Sequence, residues 1–472
     1  MKRLLSAMCI IAILFSFAGC NRGSTTTSSS TTSYETMSIN GVNVSQYQIV
    51  CDEDGLDYNT RASEYIQSAI KTLTGHTLAI VDDENASAAR QIIVGETSCE
   101  LSEELDEVLE GVEFSMLAKD GSVALEANYF AIAAAAYYFV DTYVKGEDVE
   151  IEDGTVVREP ITKEAKNFIL LIGDGMGVNQ TRLFNYLPDT TDYSDGEKAF
   201  YGYMLPYQGF SRTNSFSGIT DSAAGGTALS TGYKTLNGYV GLDKDGREIK
   251  SLTELAAELG KATAVMSTES DTGATPASFS AHADSRNNNK EILDDQTALT
   301  ERLGTIIECR GYTQYAARYL KSNENRIVQT LDTLNQDNDG FFVMYEEAHI
   351  DKHSHNNDME STFLALLSFN QAIARFMEFA FYHPETMVII TADHETGMLL
   401  ENGDGTLSYN SEDHSSADVP VFAWGEGTAH FDGQTLENIE IAHFFAAQMG
   451  VNDLATKQAP GTMKFTAKQN KK

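Results

Sequence analysis

Apolar positions along this chain fall into two regimes that meet near residue 160. Between residues 37 and 160, short β-branched runs at 78–81 and 91–94 alternate with segments of helical spacing. Residues 62–73 carry apolar side chains on one helical face, and the long apolar stretch 130–144 predicts a buried helix. Beyond residue 160 the pattern changes. Residues 167–172, 262–266, 341–345, 387–390 and 419–424 are continuous apolar runs of strand length, separated by helical stretches such as 362–381. Strands without alternation are covered on both faces. The pattern therefore predicts an α/β protein with a mostly parallel central sheet flanked by helices, preceded by a smaller α/β domain. No internal repeat is present.

Charge supports a boundary at the same place. Residues 37–160 carry a net −19 over 124 positions, and residues 161–472 carry −19 over 312. The whole chain has 69 acidic against 33 basic residues. A field of that sign repels phosphate backbones and excludes nucleic acid as a specific partner.

The first residues form a separate unit. Lys2 and Arg3 precede an apolar run at 4–18 and then Gly19-Cys20, the layout of a secretory signal. Phe17-Ala18-Gly19-Cys20 resembles a bacterial lipobox, which implies acylation of Cys20 and an extracytoplasmic protein lipid-anchored to the bacterial membrane or cell surface. Residues 24–33 are all Ser or Thr and read as a flexible tether. The expected organisation is a signal at 1–20, a tether at 21–36, an accessory domain at 37–160, a catalytic domain at 161–460 and a basic tail at 461–472. Once Cys9 leaves with the signal and Cys20 takes lipid, Cys51, Cys99 and Cys309 remain, an odd number that cannot all pair. A Cys51–Cys99 disulfide and free buried thiols both stay open. Without a CxxC pattern, zinc binding by cysteine has no support.

Chemistry gathers where the strands end. The 167–172 run leads into Gly173-Asp174-Gly175, the 341–345 run into Glu346, Asp351, His353 and His355, and the 387–390 run into Asp393-His394. In open α/β sheets ligands bind beyond the carboxyl ends of the strands. Carboxylates crowded at one edge repel, so this set calls for cations. Ser222 is the nucleophile candidate. It opens a run of small residues whose helix N-terminus favours an anion. No Gly-x-Ser-x-Gly elbow is present.

The segments LLIGDGMG, TDSAAGGTALSTG, ATPASFSAHADSR, EEAHIDKHSH and TADHETG, in this order, resemble the alkaline phosphatases over residues 165–450. The resemblance implies a phosphomonoesterase in which Ser222 is phosphorylated and Arg286 grips the phosphate. It implies two zinc ions, one held by Asp174, Asp393 and His394, the other by Asp351, His355 and His414. It implies one magnesium ion, held by Asp174, Thr275 and Glu346. Donor chemistry agrees: the histidine-containing sets suit zinc, and the oxygen-only set suits magnesium. The implied partners are small phosphate monoesters. Family members are often homodimers, while the absence of a long inserted crown leaves a monomer open. In residues 37–160, SINGVNVSQYQIV, QIIVGET and FAIAAAAYYFVDTYV resemble the non-catalytic N-terminal domain of α-glucuronidases and β-hexosaminidases. Because every site residue lies beyond 165, the chemistry is expected to survive removal of residues 37–160.

Several positions depart from the pattern or stay outside it. Gly273 stands where the family often has Asp or His, two residues before the magnesium threonine. Magnesium is therefore expected to be held loosely, to be tightened by Gly273→Asp, or to be supported by nearby Asp271. Lys352 either adds charge near the phosphate or is solvated. His349 and His353 have no metal role, and His282 is read as structural. The competing readings are a phosphodiesterase or sulfatase of the same superfamily and a non-catalytic binding lipoprotein. The complete site set argues against the last.

Overall fold

The computed structural model describes residues 35–52, 57–105, 108–185, 199–311 and 317–452. The expected signal, Cys20, the tether up to residue 34 and the basic tail lie outside the described residues. The long apolar runs become the strands of one eight-stranded sheet. Its order is Ile306–Cys309, Ala262–Ser267, Phe341–Glu347, Asn167–Gly173, Thr386–Thr391, Val419–Trp424, Tyr207–Arg212 and Thr435–Glu437. Val419–Trp424 alone runs against its two neighbours, and every other pairing in the sheet is parallel.

The lack of alternation in these strands has a direct cause. Phe168, Leu170 and Ile172 point into one apolar cluster with Phe342, Met344, Met387 and Ile389. Ile169 and Leu171 point into another with Val343, Tyr345, Val388 and Ile390. Helices Ser222–Thr231, Leu252–Glu258 and Asn438–Gln448 cover the first face. Helix Met359–Tyr382 covers the second. Successive side chains of a strand project to opposite faces, so two covered faces leave no position for polar residues.

Residues 38–158 build sheets of their own. A six-stranded sheet has the order Ile80–Val81, Gln48–Val50, Gln91–Val94, Ser122–Ala127, Phe114–Lys119 and Gly154–Arg158. The 62–73 pattern lies within helix Asp57–Thr74, and the 130–144 stretch spans a short turn of 3-10 helix and helix Ile132–Tyr143, with Val144 as its C-cap. Cys51 is buried and Cys99 and Cys309 are half-buried, and all three are free thiols, which removes the disulfide.

This unit is bonded closely to the larger one. Helix 132–143 lies against helix 359–382, and helix 57–74 reaches it through Tyr65 and Arg61, so helix 359–382 is packed between the large sheet and the smaller unit. Tyr65 stacks on Tyr382 at 4.2 Å, and Phe130 meets Phe381 at 5.9 Å and Tyr201 at 5.2 Å. Arg61 Nε donates to both oxygens of Glu378 at 2.7 and 3.0 Å, and Arg375 donates to the same carboxylate at 3.1 Å. Each such aromatic side chain contributes about 1.5–3 kcal/mol when fully covered. Among the described residues no helix is long and apolar enough to cross a membrane.

That packing changes the expected result of removing residues 37–160. The truncation uncovers Phe381, Tyr382 and Glu378 on a helix that also supports the sheet. We expect it to aggregate or to bind a hydrophobic dye strongly. A soluble truncation with a cooperative melt would show that the two units fold independently.

Candidate active site

The site is assembled at the carboxyl edge of the large sheet from neighbouring strands. Asp174 follows strand 167–173, and its backbone N–H bonds to the Glu347 carbonyl at 3.1 Å across the strand pair. Gly175 has φ +73°, and a Cβ there would stand 2.7 Å from the Asp351 Cα. Glycine thus lets the Asp174 turn close on the Asp351 segment. Strand 341–347 ends in Glu346-Glu347 and continues into helix His349–Ser354, which carries Asp351 with His355 one turn later on the same face. Strand 386–391 delivers Asp393 and His394. His414 arrives through a two-stranded pairing in which it sits opposite Thr396.

Ser222 is the first residue of helix 222–231, capped by Asp221, whose side chain accepts from the Ala224 N–H at 3.0 Å. The small residues after it have a packing reason. A Cβ on Gly225 would meet the Asp393 carbonyl oxygen at 2.9 Å, and one on Gly226 would meet the Ser278 hydroxyl at 3.1 Å. The helix start is therefore held against the Asp393 segment and Ser278. Ser222 Oγ lies 3.2 Å from His394 Nε2. Arg286 Nη1 donates to Asp221 Oδ2 at 3.3 Å, which brings its guanidinium beside the serine.

Two groups of side chains converge, each with its ligand atoms within 4.8 Å of one another: Asp174, Asp393 and His394, and Asp351, His355 and His414. The hydrogen bonds fix the histidine tautomers. His414 Nδ1–H donates to the Thr220 carbonyl at 2.8 Å, and His355 Nδ1–H donates to the Glu412 carbonyl. A carbonyl only accepts, so in the neutral rings both Nε2 atoms carry lone pairs, and they face each other at 3.0 Å. Thr396 Oγ1 donates to Asp351 Oδ1, which leaves it to accept from His394 Nδ1–H at 3.2 Å. His394 Nε2 thus also presents a lone pair, 3.5 Å from Asp174 Oδ1 and 3.3 Å from Asp393 Oδ2. Lone pairs and carboxylates at these distances repel unless cations lie between them.

Unpartnered oxygens mark the same places. Asp174 Oδ1, Asp393 Oδ2, Thr275 Oγ1 and Glu346 Oε1 are buried and have no hydrogen-bond partner among the described residues. Native structures leave few such atoms, and ions commonly account for them. Glu346 pairs in register with Ile172, two residues before Asp174, and its other oxygen accepts from Ser267 Oγ. Burial, then the Glu269 carboxylate, pushes the Glu346 carboxyl up to about 8. Burial, then Asp351, pushes Asp393 up to about 7. Burial and the neighbouring carboxylates raise Asp174 well above the usual range. Burial also acts to raise Asp351, but the imidazoles of His414, His394 and His355, where protonated in the metal-free protein, outweigh it and hold Asp351 below that range. The donor sets and the orphaned oxygens fit bound metal ions.

The alkaline phosphatase family model matches residues 165–310 and 320–406. The chain carries an alkaline phosphatase family domain. It is 33% identical over 300 residues to alkaline phosphatase 3 of Bacillus subtilis, which is 53% of this chain and 65% of that one, just short of two thirds of the relative's length. It is 28% identical over 349 residues to alkaline phosphatase 4 of the same organism, covering 62% of this chain and 75% of that one. Alkaline phosphatase from the Antarctic bacterium TAB5 superposes with a TM-score of 0.53 at 29% identity, covering 62% of this chain and 99% of that chain. A mutant of that alkaline phosphatase has a structure with Mg bound in its M3 site, and superposes with a TM-score of 0.52 at 28% identity over the same shares. His414 lies beyond the family match at 406, yet it closes the group with Asp351 and His355.

The remaining positions resolve as follows. His282 bonds to the Ile249 carbonyl at 3.1 Å and lies 3.6 Å from Asp295, away from both metal-ligand groups. His349 faces Glu347 at 3.4 Å. Lys352 is exposed to solvent, and its Nζ pairs with Glu269 at 2.5 Å, so its charge sits beside that carboxylate. The sequence reading missed Thr396, Asp221 and Glu269. Thr396 sits inside the TADHETG segment but carries nothing locally that marks it as a link between histidine and carboxylate.

The raised carboxyls carry a pH signature. Free carboxyls in the unfolded chain titrate near pH 4. Asp393 and Glu346 bind protons more tightly when folded, so their contribution to stability is complete below pH about 4 and is lost as pH rises through about 7 and about 8. Metal-stripped protein should therefore melt at a lower temperature at pH 8 than at pH 6, and added zinc and magnesium should narrow the difference. Thermal unfolding with and without metal at both pH values checks this, and a chelated protein indifferent to pH would contradict it.

Proposed function

We propose that this protein is a metal-dependent phosphomonoesterase that hydrolyses phosphate monoesters through a phosphoserine at Ser222. In this reading Asp174, Asp393 and His394 hold one zinc, Asp351, His355 and His414 a second, and Asp174, Thr275 and Glu346 a magnesium. The observation that carries the reading is Ser222 at a helix start, 3.2 Å from His394 Nε2, with Arg286 tethered alongside by Asp221. Bound metal ions supply Lewis-acid stabilisation of the attacking and leaving oxygens and lower the pKa of the serine hydroxyl.

The chain's own groups do the rest. Arg286 presents paired donors to two phosphate oxygens, each charge-assisted bond contributing about 1.5–3 kcal/mol. Asp221 fixes that guanidinium and caps the helix. The free N–H groups and dipole of helix 222–231 favour the dianionic phosphate. Ser222 Oγ attacks phosphorus in line, the ester P–O bond breaks, and the alcohol departs. Water then attacks the phosphoserine, the Oγ–P bond breaks, and orthophosphate and free Ser222 result. In the zinc-loaded protein, Ser222→Ala should lower turnover of 4-nitrophenyl phosphate by about a thousandfold or more. The metal content should stay unchanged. Full activity in that variant removes the covalent mechanism, and preference for the matching phosphodiester or sulfate ester replaces the monoesterase reading.

We also read the protein as an extracytoplasmic lipoprotein anchored through Cys20, with residues 37–160 as an accessory domain. The support is the Phe17–Cys20 segment after an apolar run and the Ser/Thr tether behind it. Metabolic labelling with a radioactive fatty acid should mark the wild-type protein and not Cys20→Ala. Equal labelling of both would refute acylation at this cysteine.

A further inference from the structure

We propose that Glu269 is the carboxylate that supports the oxygen-only metal site, occupying the space left by the missing side chain of Gly273 and held there by Lys352. The inference rests on the proposed reading of Asp174, Thr275 and Glu346 as a magnesium site. Gly273 has φ −55° and ψ 147°, a conformation open to any residue, so its backbone does not require glycine. Space is what excludes a side chain. The three atoms nearest to a Cβ on residue 273 would be Oε1, Cδ and Cγ of Glu269, all closer than any real Cβ contact. A carboxylate therefore stands beside residue 273, delivered from four positions earlier in the chain.

Its placement is specific. The Glu269 side chain is 17% exposed, and Oε2 pairs with Lys352 Nζ at 2.5 Å. Its backbone N–H bonds to Ser267 Oγ at 2.9 Å, and the same hydroxyl donates to Glu346. One serine thus ties the Glu269 backbone to a ligand carboxylate. Glu269 is within electrostatic reach of both Glu346 and Asp174. Asp271, the other acidic residue of the segment, is engaged elsewhere. Its Oδ1 accepts from the Thr272 N–H at 3.1 Å, and its carbonyl accepts from Gln296 at 2.7 Å.

The arrangement suits a hard cation. Magnesium dehydrates reluctantly and keeps several waters, which a carboxylate one water away holds by charge-assisted hydrogen bonds. Charge balance agrees, since Asp174, Glu346 and Glu269 are matched by a divalent ion together with Lys352. Glu269 is a positioning residue that acts on the ion through its waters. Two expectations from the sequence change accordingly. Asp271 is not the substitute, and Gly273→Asp by itself places a side chain where Glu269 already stands.

The test is graded chelation of the full-length protein loaded with zinc and magnesium, with both metals measured by elemental analysis. Glu269→Gln should release magnesium at about tenfold lower chelator than wild type, with zinc release unchanged. Asp271→Ala should retain magnesium as wild type does. The double variant Glu269→Ala, Gly273→Asp should regain retention that Gly273→Asp alone does not improve. Magnesium held equally by Glu269→Gln and wild type overturns the proposal, and so does parallel loss of zinc, which would mark a general structural role. Hydrolysis of 4-nitrophenyl phosphate by the same wild-type sample separates the two readings. An inactive wild type with selective magnesium loss in Glu269→Gln refutes the phosphomonoesterase and upholds Glu269. An active wild type indifferent to Glu269→Gln does the reverse.

Discussion

Like charge gathered at one edge of a sheet is the constraint on which the rest of this molecule depends. Asp174, Asp351, Asp393 and Glu346 are all buried, and the lone pairs of His355, His394 and His414 point in among them. Burial alone would drive such carboxyls to their neutral forms. Bound cations reverse that preference, and the neighbouring second layer of hydrogen bonds decides which nitrogen of each ring faces them. Ser222 gains its chemical setting from the same cluster, because the helix that carries it is pressed against Asp393 through Gly225 and against Ser278 and Thr275 through Gly226.

The supporting layer divides into two parts with different logic. Around the histidines it consists of neutral acceptors, the carbonyls of Thr220 and Glu412 and the hydroxyl of Thr396. These orient rings without adding charge. Around the oxygen-only set it is ionic, with Glu269 and Lys352 paired beside Ser267 and Gly273. An ion that exchanges ligands with water is held through its waters, so charge close by matters more there than ring orientation does.

Among the described residues the smaller unit meets the larger one through packing and one ionic group. Its helices cover helix 359–382, whose other side lies on the large sheet, and the half-buried Arg61 joins the buried Glu378 and Arg375 across the contact. A buried carboxylate between two arginines tolerates little displacement, because losing one partner leaves uncompensated charge. The two units therefore share one apolar interior although their sheets are separate.

The sequence by itself determined the strands and the chemistry at their ends. Continuous apolar runs followed at once by Gly-Asp-Gly, Glu-Glu or Ala-Asp-His are local patterns, and local patterns survive reading in one dimension. The Ser222 helix start and its small residues were legible for the same reason. Tertiary structure decided the rest. His414 reaches Asp351 through its register with Thr396, a pairing that no residue near 414 announces. Glu269 reaches the space over Gly273 by folding back across a turn, so the carboxylate expected at 273 or 271 comes from a position whose spacing gave no signal. The cover over helix 359–382 likewise depends on which faces meet, since an apolar helix reads alike whether one side or both are buried. Periodicity reports how buried a residue is, whereas register and side-chain direction report what it touches, and only the folded chain fixes those.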